Sequence, residues 1–114
     1  MEIRKFYETI GSDYYDVAKR MGSEKLVIHF VGRFMEDKTY MMLEAAMNAQ
    51  NIDEAFRASH MLKGVCSNLG FGSLQNAASE LTEVLRKGTF EGSEALFDSV
   101  KTEYDRIVSA WKCD

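Results

Sequence analysis

Proline does not occur once in the 114 residues. Proline locks φ and removes a backbone donor, so a chain without it has no built-in helix breaker. Its Ala, Leu, Met, Glu and Lys residues favour long uninterrupted helices. Cysteine is scarce: Cys66 and Cys113 lie far apart with no C-x-x-C pattern. This fits a reduced, cytoplasmic setting, with Cys66 as a small core residue. Basic residues are outnumbered, 14 Lys and Arg against 18 Asp and Glu, for a net charge of −4. A nucleic-acid partner, which calls for a basic face, is therefore not expected. No run approaches the roughly 18 apolar residues of a membrane span. The opening MEIRKFYETI carries two acids and is not a signal peptide. No Gly-rich phosphate loop or acidic magnesium cluster is evident, so no ATP site is expected.

What is present is helical periodicity. Ile3, Phe6, Tyr7 and Ile10 predict a short helix ending near Gly11. Ser12 or Asp13 can cap a second, carrying Tyr14, Val17, Ala18 and Met21. After Gly22 and Ser23, the stripe Leu26, Val27, Phe30, Val31 and Phe34 predicts a helix to about Glu36. Residues 37–39 read as a turn, and Tyr40, Leu43, Ala46 and Met47 continue to about Gln50, with Met41 and Met42 expected half-buried. Asn51 is a good N-cap for the next segment, which ends at Gly70 and Gly72. Ser73 is expected to cap the following helix, and a last one runs from about Phe97 to Lys112. With 46% hydrophobic residues, no linker and no strand alternation, residues 1–114 form one domain. Short connections between long helices predict an all-α, antiparallel up-and-down four-helix bundle, with short N-terminal helices closing one end.

One helix holds an anomaly. Gly64 sits inside the segment 52–69, one turn after His60. Glycine there costs about 1 kcal/mol against alanine. On a helical wheel, Ile52, Ala55, Phe56, Ser59, Leu62, Cys66 and Leu69 form the core face, and His60 faces solvent. Arg57, Met61, Gly64 and Ser67 surround His60, while Lys63 sits between it and the core edge. A largely unprotonated imidazole near neutral pH can attack phosphorus. The bulky dianion formed needs room, which Gly64 offers, and a cation, which Lys63 or Arg57 offers. Met61 is placed to serve a docking partner. His29, beside Ile28 and Phe30, has no second metal ligand at matching spacing and reads as structural or surface.

The run His60-Met61-Leu62-Lys63-Gly64, followed by Gly70, resembles the H-x-L-K-G-x5-G signature of histidine-containing phosphotransfer (HPt) domains. The resemblance extends from about Ser12 to Trp111. It implies a four-helix bundle whose exposed histidine takes a phosphoryl group from a response-regulator receiver aspartate and passes it to another. His60 is then the phospho-acceptor, Lys63 balances charge, and Gly64 leaves room for phosphate and receiver. Some members carry a glutamine on the neighbouring helix that reaches the imidazole. Thr82 stands at that position here, and Gln75, Ser79 and Thr82 share one helix flank.

The resemblance implies a phosphocarrier and not an autonomous enzyme. No cofactor is expected on this chain, with Mg2+ brought by the receiver. Expected partners are receiver domains and a hybrid sensor histidine kinase, met by a monomer. Met1 reads as an initiator, which favours a free-standing protein. Two rivals stand beside this reading: a protein-interaction module of the same fold without phosphotransfer, and a metal- or haem-binding bundle using His29, His60, Cys66 or methionines.

Overall fold

The computed structural model describes residues 2–112; Cys113 lies outside them. Seven helices follow one another: α1 (Ile3–Ile10), α2 (Tyr14–Met21), α3 (Glu24–Glu36), α4 (Thr39–Asn48), α5 (Ile52–Leu69), α6 (Gly72–Arg86) and α7 (Glu94–Lys112). The described residues contain no strand. The fold is all-α.

The helix starts follow from side chains that accept a free backbone N–H. Asp13 accepts from Asp16, Ser23 from Leu26 and Asn51 from Glu54. Ser73 does not cap its helix. α6 begins at Gly72 after Phe71, which makes no side-chain cap bond. The Phe71 N–H instead bonds back to the Cys66 carbonyl at 3.0 Å and its ring is buried, so tertiary burial sets this boundary.

α5 is central. It packs against α4, α6 and α3, and α6 in turn packs against α7. Ala55, Ala58, Ser59, Leu62, Cys66 and Leu69 are its buried residues. Phe56 and Ile52, placed on the core face by the wheel, are only half-buried, and Ala58 takes an unpredicted core position. The Tyr40 ring stacks on Tyr104 at 4.0 Å and 8°, joining α4 to α7.

Two apolar expectations are corrected. Met41 and Met42 are exposed, because α4 turns Tyr40, Leu43 and Ala46 inward and leaves the next positions outside. In α3 only Val27, Val31 and Phe34 are buried, while Leu26 and Phe30 are exposed. The stripe is wider than the surface its neighbours cover.

The two short N-terminal helices tie off the far end of α5. Its last carbonyls have no helical partner. The buried Tyr7 hydroxyl donates to the Leu69 carbonyl at 2.6 Å, and Arg20 Nη1 donates to the Asn68 carbonyl at 3.1 Å. A cation at a helix C-terminus also suits the helix dipole. Gly70, at φ 72°, completes the cap. A Cβ there would overlap Val17 Cγ2 of α2. Both reasons demand glycine.

Candidate functional site

His60 lies on the exposed face in the middle of α5, where both flanking turns are helical. Among the described residues one aromatic ring lies against its imidazole. The Phe56 ring, one turn earlier, lies 6.0 Å away centroid to centroid and 16° from parallel. The imidazole makes no hydrogen bond to the described residues.

Gly64 stands one turn on, exposed, and a Cβ built on it meets nothing within 4 Å. The residue does not serve close helix packing; it leaves the surface beside His60 low. Lys63 is half-buried at the edge towards α6 and forms no ion pair with the described residues. Arg57 is differently placed, since its Nη1 donates to Glu54 Oε1 at 2.8 Å and its charge is already matched. Met61 is 46% exposed, enough apolar surface for contact with a partner. Ser67 is exposed one turn beyond Lys63.

Thr82 requires correction. It is fully buried. Its hydroxyl lies 2.6 Å from the Ala78 carbonyl oxygen and 3.0 Å from Ser59 Oγ, whose own proton goes to the Phe56 carbonyl. A short side chain at this inward position satisfies itself inside the helix interface and does not reach the surface imidazole. The same bond sets the register of α5 and α6. Thr82 meets Ser59 and Arg86 meets Phe56, so the helices are antiparallel. Continued along the helices, this register sets Gln75 level with Ser67, about 10 Å along the axis from His60. Gln75 is half-buried there. Neither Gln75 nor Thr82 lies beside the ring.

Sequence reasoning missed what α6 does contribute. Arg86 lies one turn past Thr82, and its guanidinium carbon sits 5.1 Å from the centroid of the Phe56 ring. Arg86 Nη2 donates to Glu83 Oε2 at 3.2 Å. The signal was a phenylalanine four residues before the histidine, a spacing at which helical side chains meet.

The other chemistry-bearing residues do not join this site. Cys66 is buried, and desolvation pushes its thiol up to about 12, far from a reactive thiolate. His29 is exposed on α3, its ring edge-on to Phe30 at 5.2 Å. The described residues hold no group of three or more His, Cys, Asp or Glu side chains able to hold a metal ion. None of their helices is long and apolar enough to cross a membrane.

A family model described as Hpt domain matches residues 35–110, which is 76 of the 114 residues. The chain belongs to the Hpt domain family. Hpt domains are phosphocarrier modules of two-component signalling that meet response-regulator receivers. The match holds α4, α5 and α6 whole and α7 as far as Ala110, and with them His60, Lys63, Gly64 and Gly70. It starts at Met35, later than the Ser12 expected from the sequence resemblance, so α1, α2 and nearly all of α3 lie outside it. No curated protein and no solved structure matches the chain.

Proposed function

We propose that this chain is a phosphorelay intermediate. His60 accepts a phosphoryl group from the aspartyl phosphate of one response-regulator receiver and delivers it to the aspartate of another. The observation that carries this reading is an exposed imidazole with open space at Gly64 and a Lys63 cation that has no ion pair among the described residues, all on one helix. α3 and α4 together would form one side of the antiparallel bundle that holds this surface still, and α5, α6 and α7 the other three.

In the forward step the lone pair of an unprotonated imidazole nitrogen attacks phosphorus. A P–N bond forms as the P–O bond to the aspartate breaks, and that electron pair leaves with the carboxylate. The proton on the other ring nitrogen stays or passes to water. Transfer onward is the reverse displacement by a second aspartate. Phosphoryl transfer depends on in-line placement and charge balance more than on proton transfer by side chains. This chain's part is therefore to present the ring, leave room at Gly64, and set the Lys63 ammonium near the added charge by a charge-assisted contact. The receiver supplies its Mg2+ and its own aspartate; the chain acts as a cytoplasmic carrier and not as an enzyme in its own right. A hybrid sensor histidine kinase, through its receiver, is a fitting donor.

A docking face would continue along α5 beyond Gly64. An open groove between α2, α3 and α5 is lined by Phe30, Phe34, Val65 and Leu69 together with the polar Asn68 and the charged Arg20, Arg33, Glu36 and Asp37. Val65 is one turn beyond Met61, and Asn68 one turn beyond Gly64. The exposed Phe30 and Met61 can be covered by a receiver aimed at His60.

The deciding experiment is incubation with phosphorylated receiver domains, following acid-labile phosphate on the chain. The wild-type protein should be labelled. His60→Gln should lose all labelling while helicity and melting stay nearly unchanged, since an exposed side chain adds little to the core. Labelling that survives, or that moves to His29, would remove His60 from this role. A wild-type chain that binds receivers without taking phosphate would instead be an interaction module.

A further inference from the structure

The neighbouring helix α6 offers His60 no hydrogen bond among the described residues, because Thr82 is turned inward. An unrestrained surface imidazole samples several rotamers, and few of them aim a nitrogen along the line of attack. Something else must hold the ring. We propose that Phe56, braced from α6 by Arg86, is the positioning residue that orients the His60 imidazole for phosphoryl transfer; this rests on the phosphorelay reading above.

Three observations carry it. Side chains on a helix lean back towards its N-terminus, so His60 comes down over the turn that holds Phe56. The two rings are nearly parallel, 16° apart at 6.0 Å, an offset arrangement that suits aromatic faces. Phe56 itself is held on both sides. It packs half-buried against the core cluster, and the Arg86 guanidinium lies over its ring at 5.1 Å as a cation–π contact. Arg86 is in turn fixed by Glu83 Oε2, at 3.4 Å from Nε and 3.2 Å from Nη2. The chain of contacts runs Glu83, Arg86, Phe56, His60.

A stack has a chemical advantage over a hydrogen bond here. A hydrogen bond occupies one ring nitrogen. A stack holds the plane of the ring by its face and leaves both nitrogen edges open, one for its proton and one for phosphorus. Restricting the ring removes orientational freedom before the donor arrives, which is how a positioned nucleophile gains rate.

The test uses the full chain with Phe56→Leu, Phe56→Tyr and Arg86→Gln. Two readouts are needed. NMR of the labelled His60 ring measures its order and the ring-current shift caused by Phe56. Phosphoramidate, a small donor that needs no docking surface, measures the intrinsic phosphorylation rate of His60. Phe56→Leu should abolish the ring-current shift, lower the ring order, and slow phosphorylation about 3- to 10-fold with helicity retained. Phe56→Tyr should keep both near wild type, and Arg86→Gln should fall between. A Leu variant whose ring and rate match wild type overturns the positioning role, as does a Tyr variant that loses as much as Leu. If wild type takes phosphate from neither phosphoramidate nor receivers while Phe56→Leu still frees the ring, the phosphorelay reading fails and the catalytic role of the stack with it. Normal labelling of wild type and Leu alike strikes the positioning role alone.

Discussion

At the scale of single residues, Gly64 is the clearest case of a helix giving up stability locally. Its position is ordinary helix, exposed, and empty around the missing Cβ. Gly64→Ala should therefore stabilise the fold by roughly 0.5–1 kcal/mol by removing the entropic penalty of glycine. Gly64→Gln and Gly64→Leu should fold as well. Phosphate transfer to His60 should fall stepwise with side-chain size, because the added atoms enter the volume that phosphate and receiver need. Thermal melts and transfer rates on the same three variants test this. A parallel loss of stability and transfer would contradict it. Lys63 and Arg57 illustrate a related point. Both are cations near His60 in sequence, yet Arg57 is matched by Glu54, while Lys63 has no ion pair among the described residues. Sequence spacing made them equivalent; local pairing separates them.

At the scale of elements, the helix that carries His60 is tied down at its C-terminal end by two other helices. Tyr7 of α1 and Arg20 of α2 satisfy its last carbonyls, and Gly70 turns the chain under Val17. Gly70→Ala meets two penalties together: a left-handed φ for a residue with a Cβ, and an overlap with Val17. Their sum should cost about 2–4 kcal/mol. Urea unfolding should show a lower midpoint, the drop multiplied by the m-value giving that loss. A loss of only about 1–2 kcal/mol would show that α2 moves aside and leaves the backbone penalty alone, and an unchanged midpoint would contradict both. Gly64 and Gly70 both belong to the family signature, yet they answer opposite questions. One keeps space open outside the helix, and the other allows close approach inside it.

At the scale of the whole molecule, burial of neutral acids makes the fold sensitive to alkali. Desolvation pushes the Cys66 thiol up to about 12 and holds the Tyr7 phenol above its usual range. Each group keeps its proton in the folded chain at pH values where the unfolded chain has lost it. The unfolded state then binds fewer protons, so stability falls as pH rises. For Cys66 this stabilisation is complete below the ordinary thiol value of 9.0 and is lost as pH climbs towards about 12. Melting temperature should decline steadily from about pH 9 upward, and Cys66→Ala should make that decline shallower. A variant with the same slope as wild type would show that Cys66 ionises without unfolding. The site itself, on the exposed face of α5, lies outside this buried set.

The sequence alone determined the helical class, most element boundaries and the face on which His60 stands. These follow from local rules: spacing of apolar residues, cap chemistry at Asp13, Ser23 and Asn51, and the left-handed turn at Gly70. It also singled out His60, Lys63 and Gly64, because their spacing on one helix needs no knowledge of neighbours. Tertiary structure decided everything that depends on how one helix lies against another. The register of α5 against α6 turned Thr82 inward to Ser59 and brought Arg86 over Phe56. Limited cover by adjacent helices left Leu26, Phe30, Met41 and Met42 outside. A helical wheel gives an angle but no partner, and register, burial and charge pairing are set only when the partner helix is in place.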